Sequence, residues 1–175
     1  PRSMQLVAGR VAQEFNQRKK RKGAFWEDRY HATAVAADCH FARCLTYIDL
    51  NMVRAGVVND PADWPESGYA ELMRDGQRYQ LLDSEALGEL LGVPDRSEIR
   101  KARRICVEET VRRKSLERYS CWSESLAVGD EEFVVGVKTK LGFKGRQRAV
   151  KKDEQGFVLR ESETSYSILP RKMPP

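Results

Sequence analysis

The sequence has no apolar run approaching the roughly 20 residues that a membrane-spanning helix requires. It also shows no secretory leader, so we expect a cytoplasmic protein that makes no membrane contact. The four cysteines form no C-x-x-C pair, which argues against a disulfide framework or a zinc knuckle. Internal repeats and low-complexity segments are not evident either.

Charge, by contrast, is abundant. Charged residues make up 33% and hydrophobic residues 41% of the 175 positions, so the chain can bury a core beneath a heavily charged surface. The net charge is +5 and is concentrated in two basic runs. The first run is Arg18, Lys19, Lys20, Arg21 and Lys22, and the second is Lys144, Arg146, Arg148, Lys151 and Lys152. Such clusters release counterions from a phosphate backbone, which favours a nucleic-acid partner, although either run alone is more typical of a solvated loop.

Hydrophobic spacing in the first half of the chain predicts two helices. The first runs from Ser3, its N-cap, to about residue 17 and stops by Gly23. The second is capped by Asp38, runs to about Arg54 and ends at Gly56. Between them, residues 24–35 are rich in aromatic and β-branched residues and predict a strand. Trp26, Tyr30, Ala32 and Ala34 are expected on one side of this strand.

The second half of the chain differs in character. Residues 59–69 are predicted to form a loop held to the core by Trp64. Helices are then expected at about 84–91, from Asp95 to about Leu116, and at about 130–141, with a short strand at 156–162. We place a domain boundary between residues 1–78 and a mainly helical domain at 79–175.

A helical wheel of residues 38–54 separates two arcs, at about 100° per residue. Phe41, Leu45, Ile48 and Met52 form an apolar arc, the expected core face. His40, Arg43, Tyr47, Asn51 and Arg54 share the other arc. Guanidinium groups match phosphate oxygens, a phenol can attack phosphorus, and a carboxamide oxygen can bind a hard cation. A tyrosine that only buries its ring and an asparagine that is only solvated give the same pattern, so the spacing does not decide between catalysis and packing.

Three weaker candidates remain open. His40 and Cys44 lie four residues apart, but too few ligands are nearby to favour a metal clip. Trp26 and Tyr30 could stack on unpaired bases, with core packing as the alternative. The basic residues of the helix at 95–116, which include Arg100, Lys101, Arg103, Arg104, Arg112, Arg113 and Lys114, fit either a solvated or a DNA-facing helix.

Residues 3–72 resemble the single-tyrosine transposases of the His-hydrophobic-His class, above all the REP-associated tyrosine transposases. The likeness rests on three ordered motifs: "GAFWEDRY", "YIDLNMVRAG" and "WPESGY". The matching residues are Gly23, Phe25, Trp26, Arg29 and Tyr30; Tyr47, Ile48, Asn51, Val53, Arg54, Ala55 and Gly56; and Trp64, Ser67 and Tyr69. "SLAVGDEEFV" at 125–134 carries a looser likeness. One departure is Met52, where relatives commonly have proline.

The resemblance implies a fold and an activity. The fold would be α+β, the remainder of a ferredoxin-like catalytic domain followed by a small, mainly helical C-terminal domain. Tyr47 would attack a phosphate of single-stranded or hairpin DNA to give a 5′-phosphotyrosine intermediate, and many members act as homodimers. Asn51 would be one ligand of Mg²⁺ or Mn²⁺, whereas Arg29, Arg43, Arg54 and the first basic run would contact DNA.

The metal site is where this sequence departs from the family. Its only histidines, His31 and His40, do not form the His-x-His pair that supplies the other two metal ligands. In the family that pair precedes the segment matched by residues 3–17, so we expect it before Pro1. The chain would then be a truncated, inactive portion of a transposase. The alternatives are a non-catalytic DNA-binding remnant or domesticated regulator and, third, a protein-interaction module.

We predict that the 175-residue chain binds DNA in a salt-sensitive manner but forms no covalent adduct. For single strands the logarithm of the binding constant should fall against the logarithm of salt concentration with a slope of about −0.7 per phosphate contacted. Fluorescence anisotropy across a salt series measures this slope. An affinity that is independent of salt would contradict the interpretation of the basic runs.

Overall fold

The computed structural model describes residues 2–27, 31–37, 39–75, 80–93, 95–113 and 116–162. The chain divides into two compact units, residues 1–31 and residues 32–175, and it is a mixed α+β protein. Within the described ranges, no helix is both long enough and apolar enough to cross a membrane. The domain boundary predicted at 78/79 falls on residues 76–79, which lie outside the described ranges, so it stays a prediction.

The first unit contains helix α1, Arg2–Arg18, which confirms the first predicted helix but not its N-cap, because Ser3 lies inside the helix. The helix was predicted to run to about residue 17 and to stop by Gly23; it ends at Arg18, and Lys20 follows it in a left-handed conformation with φ 49°. The amide of Arg21 then donates to the carbonyl of Asn16 (2.9 Å) and that of Lys20 to the carbonyl of Gln17 (3.2 Å). This pair of bonds satisfies the last carbonyls of the helix, a role usually taken by glycine.

The strand predicted over 24–35 is wrong for most of its described length. Residues 24–27 pack on α1 instead: the Phe25 ring lies 4.7 Å from that of Phe15, and Trp26 Nε1 donates to the carbonyl of Ala8 (3.0 Å). Aromatic residues suit a helix-packed loop as well as a strand, so their enrichment misled the prediction. Residues 28–30 lie outside the described ranges, and only Ala34–Val35 forms a strand, β1.

The second unit holds the other helices. They are α2 Cys39–Asp49, α3 Asn51–Arg54, a 3₁₀ turn Pro61–Asp63, α4 Gly68–Met73, α5 Ser84–Leu91, α6 Arg96–Arg112, α7 Cys121–Glu124, α8 Glu131–Lys140 and α9 Phe143–Arg146. Capping residues predicted several helix ends correctly. Asp95 accepts from the amides of Ser97 and Glu98 at the start of α6, Asp130 accepts from Phe133 at the start of α8, and Gly92 ends α5 at φ 67°.

The four-stranded sheet lies in the second unit. Its other strands are β2 Ala127–Gly129, β3 Arg148–Asp153 and β4 Gly156–Glu161, in the order β1-β2-β4-β3. β1 and β2 pair in parallel, and the other pairs are antiparallel. The sequence predicted β4 but neither β2, which is only three residues long, nor β3, whose basic residues indicated a charged run. The second basic run is thus split between α9 and an edge strand.

The core face predicted for α2 is partly wrong. Ile48 is 53% exposed, whereas Thr46 and Leu50 are buried. Leu50 packs with Tyr69 and Val107 in one core cluster, and Trp64, expected to hold the loop at 59–69 to the core, is only partly buried. The side of α2 that faces inward is therefore the side that meets α6.

A buried arginine joins these two helices. Arg103 of α6 is 3% exposed, and its guanidinium bonds to Asp49 Oδ2 (2.5 Å), Thr46 Oγ1 (3.0 Å) and the carbonyl of Ala42 (2.9 Å). The expectation that Arg103 faces solvent or DNA is therefore wrong. Burial raises the pKa of the Asp49 carboxyl, and the attraction of Arg103 offsets only part of that rise.

We predict that Arg103→Met lowers the free energy of unfolding by about 3–5 kcal/mol, because it leaves the Asp49 carboxyl buried without a partner. The double variant Arg103→Met/Asp49→Leu should recover most of this loss, since it removes both charges. Arg104→Met is the matched control, because Arg104 is the exposed neighbour on the same helix. Urea unfolding followed by circular dichroism measures all three. Equal losses of stability in Arg103→Met and Arg104→Met would contradict the assignment of Arg103 as the buried partner of Asp49.

Candidate active site on helices α2 and α3

Tyr47 and Asn51 lie on opposite sides of a helix break. The single helix predicted for 38–54 is interrupted at Leu50, whose φ and ψ are −84° and 4°. α3 then ends at Gly56, as predicted, with φ 69° and a bond from the amide of Val57 to the carbonyl of Met52 (3.0 Å). Residue 38, the expected N-cap, lies outside the described ranges.

The Tyr47 side chain is held from two sides. Its ring is half-buried and lies 6.5 Å from the ring of Trp122, within the core cluster formed by Cys121, Trp122, Val128 and Val158. On its other side, Arg54 Cζ lies 4.1 Å from the ring centroid, a cation–π contact. The ring therefore has a fixed position beside a guanidinium group.

Arg54 also bonds to residues on both sides of the helix break. Its Nη2 donates to the carbonyl of Tyr47 (2.7 Å) and to Asn51 Oδ1 (2.5 Å). Partial burial lowers the pKa of Arg54, and the nearby phenols of Tyr47 and Tyr119 act in the opposite direction. Arg54 thus links the two residues to which the resemblance assigns the roles of nucleophile and metal ligand.

The residues present do not by themselves fit a divalent metal. Asn51 Oδ1 already accepts a bond from a guanidinium group, and a cation this close opposes a second cation at the same oxygen. Across the described ranges, no group of three or more His, Cys, Asp or Glu side chains could hold a metal ion. The assignment of Asn51 as a ligand of Mg²⁺ or Mn²⁺ stays a prediction, and it requires Arg54 to release the amide oxygen.

A cleft of about 410 Å³ opens beside Tyr47. One wall comes from α2 and α3, another from α6 and its C-cap Arg113, and the rest of the lining from Tyr119, Trp122 and the β3–β4 turn. The full lining is Cys39, Ala42, Arg43, Thr46, Tyr47, Leu50, Arg54, Cys106, Glu109, Thr110, Arg113, Tyr119, Trp122 and Gln155. Its charged side chains are three arginines and one glutamate, so the lining carries a net positive charge.

Only part of the polar arc lies in this cleft. Arg43, Tyr47 and Arg54 line it together, whereas the Asn51 side chain is exposed beside it. His40 turns away: its Nδ1 lies 3.0 Å from the carbonyl oxygen of Gln155, at the tip of the β3–β4 hairpin. The close fit continues at Gly156, where an added Cβ would lie 2.6 Å from His40 Cε1. His40 is therefore a packing residue that fixes α2 to the sheet.

Two of the predicted DNA contacts remain to be located, the basic run at residues 18–22 and Arg29. Residues 18–22 belong to the first unit and are exposed, and Arg29 lies outside the described ranges. Sequence reasoning missed the α6 wall, because helical periodicity on one helix does not identify which residues of a distant helix will face it. The charged character of α6 was visible, but nothing in the spacing separated Arg113, which lines the cleft, from Arg112, which does not.

Comparisons with known proteins give no assignment, since no family model, curated protein or solved structure matches this chain.

The cysteines provide a test of which side chains of the second unit are buried. We predict that maleimide modifies exposed Cys39 readily at pH 7 and leaves Cys121 unmodified in the folded chain. Cys121 is 2% exposed, and burial raises its pKa to about 11, which alone lowers the reactive thiolate fraction about 100-fold. Peptide mass spectrometry before and after unfolding in urea measures both sites. Comparable labelling of Cys39 and Cys121 in the native chain would contradict the structure.

Proposed function

We propose that the chain is part of a DNA transposase of the single-tyrosine type, with Tyr47 as the nucleophile. The observation that carries this proposal is the convergence of Arg43, Tyr47 and Arg54 in one positively charged cleft. In this proposal the chain is the remainder of a ferredoxin-like catalytic domain followed by a small, mainly helical C-terminal domain. Its substrate is single-stranded or hairpin DNA, and it works as a homodimer.

The proposed reaction is a transesterification that needs no external energy source. The Tyr47 phenolic oxygen attacks a backbone phosphorus, so that one O–P bond forms while the bond from phosphorus to the 3′-oxygen breaks. The phenol loses its proton and the released 3′-oxygen gains one, so atoms and charge balance. A second strand's 3′-hydroxyl later attacks the phosphotyrosine and regenerates the phenol.

The two arginines have separate roles in this proposal. Arg43 is exposed at the cleft wall and is free to bind a phosphate oxygen of the incoming strand. Arg54 positions Tyr47 through its ring and carbonyl, and it stabilises the negative charge that develops beside the phenol. The metal stays part of the proposal only with ligands beyond those described, and no step is derived through it.

The bond between Arg54 and Asn51 favours a second candidate. With its amide oxygen taken by a guanidinium group, Asn51 has a structural partner that requires no metal. A non-catalytic DNA-binding remnant or regulator would keep this arrangement and use the same cationic cleft to hold a strand without cleaving it.

The test is covalent capture. The chain is extended upstream along its own reading frame, through the His-x-His pair that the resemblance places there, and is mixed with hairpin DNA and Mg²⁺. We predict an SDS-stable protein–DNA adduct that Tyr47→Phe abolishes. Tyr119→Phe is the matched control, because Tyr119 is a second phenol in the same cleft and this variant should still form the adduct.

Two results would count against the transposase. An adduct that survives Tyr47→Phe would show that the nucleophile is a different residue. An upstream reading frame without a His-x-His pair, together with DNA binding and no adduct, would favour the regulator instead.

A further inference from the structure

The α6 wall of the cleft has no role in the chemistry proposed above. It presents Cys106, Glu109, Thr110 and Arg113 toward the α2 wall that carries Tyr47. We propose that this wall completes a pocket for one unpaired nucleotide, with Arg113 as a binding residue for that nucleotide. The inference rests on the proposed function for the statement that the ligand is DNA, and it adds where the strand lies and which residues hold it.

The dimensions of the cleft fit this ligand. Its volume of about 410 Å³ lies near the lower end of the range for small-molecule sites, about 300–1,000 Å³, and so suits one nucleotide rather than a duplex. A base in a duplex is stacked and paired, so only a strand with an unpaired base can place that base in such a pocket.

The charges of the lining residues also suit a nucleotide. Arg43 and Arg54 lie on the Tyr47 wall and Arg113 on the α6 wall, so positive charge faces the pocket from both sides. The one carboxylate, Glu109, lies 3.7 Å from the Arg113 guanidinium and 4.0 Å from that of Arg112, so it offsets only part of their combined charge. A nucleotide carries a single negative charge on its bridging phosphate, which this excess of positive charge attracts.

The pocket also has groups suited to a base. Tyr47, Tyr119 and Trp122 are among its lining residues, and aromatic side chains stack on bases of any sequence. Arg54 already covers the Tyr47 ring and Trp122 is buried, so Tyr119 is the residue suited to stacking. The Thr110 hydroxyl donates to the carbonyl of Cys106 (2.8 Å), which leaves its oxygen lone pairs able to accept from a base. Stacking on rings combined with charged donors is the usual chemistry of single-strand binding.

Arg112 and Arg113 make a matched pair of variants. Both side chains are largely exposed, 76% and 73%, and both lie within 4.0 Å of Glu109, but only Arg113 lines the cleft. Each substitution by alanine removes one positive charge from the C-terminal end of α6, where Arg112 is the last helical residue and Arg113 the C-cap. A difference between them therefore reports on the pocket and not on net charge.

The experiment measures binding of the 175-residue chain to a fluorescent ten-nucleotide oligothymidylate by anisotropy. We expect Arg113→Ala to weaken binding about 5- to 20-fold, the loss of one charge-assisted contact, and Arg112→Ala less than about 2-fold. A series of oligonucleotides with one abasic position each should show one position where the missing base weakens binding to the wild-type chain. In Arg113→Ala, binding should depend much less on the position of the missing base. Thermal melting of both variants checks that they are folded.

The pocket would be refuted if the two substitutions weakened binding equally. It would also be refuted if the wild-type chain bound all the abasic oligonucleotides with the same affinity. Bound oligonucleotide should also protect Cys39 from alkylation, and unchanged labelling would count against it. These outcomes are separate from those of the covalent test. If Tyr47 forms the adduct and both arginine substitutions weaken binding equally, the transposase proposal is supported and the pocket is refuted. If only Arg113→Ala weakens binding and no adduct forms, the pocket is supported and the transposase proposal is refuted.

Discussion

The ion pair between Arg103 and Asp49 sets the geometry on which the candidate site depends. It joins α6 to α2 in the interior, and the same guanidinium bonds to Thr46 and to the carbonyl of Ala42. These two helices form walls of the cleft, so Arg103, together with the packing of Leu50 against Val107, sets their separation. A buried ion pair contributes little net stability compared with apolar packing, but removing one partner costs a great deal. The pair therefore acts mainly to specify how the helices fit together.

Arg54 organises the other half of the site. It stacks on the Tyr47 ring, bonds to the Tyr47 carbonyl where the helix breaks, and holds the Asn51 amide oxygen. A tyrosine fixed in this way, in a cleft with two further arginines, is suited to a phosphodiester substrate. The same contact keeps Asn51 from offering its oxygen to a metal. Under the proposed function, whether the site cleaves DNA or only holds it depends on what can displace the guanidinium group from Asn51.

The sequence predicted those features that depend on local chemistry. Asp95, Asp130 and Gly92 mark helix ends through bonds within a few residues, and they are found where expected. The strand at 24–35 was wrong because Phe25 and Trp26 pack on a helix 10–18 residues away, a choice that local pattern does not reveal. The burial of Arg103 depends on Asp49, 54 residues earlier, and no periodicity links the two. The role of Tyr47 came from the resemblance alone, and the structure adds its surroundings.

The central claim is that the Tyr47 oxygen becomes bonded to a 5′-phosphate. Trypsin cleaves after Arg43 and after Arg54, and the resulting peptide, Cys44–Arg54, contains a single tyrosine. The most direct measurement is therefore tandem mass spectrometry of the upstream-extended protein after reaction with hairpin DNA, nuclease treatment and trypsin digestion. The account predicts this peptide with the added mass of a nucleoside 5′-phosphate on Tyr47. The same added mass on any other peptide, with Cys44–Arg54 unmodified, would contradict it.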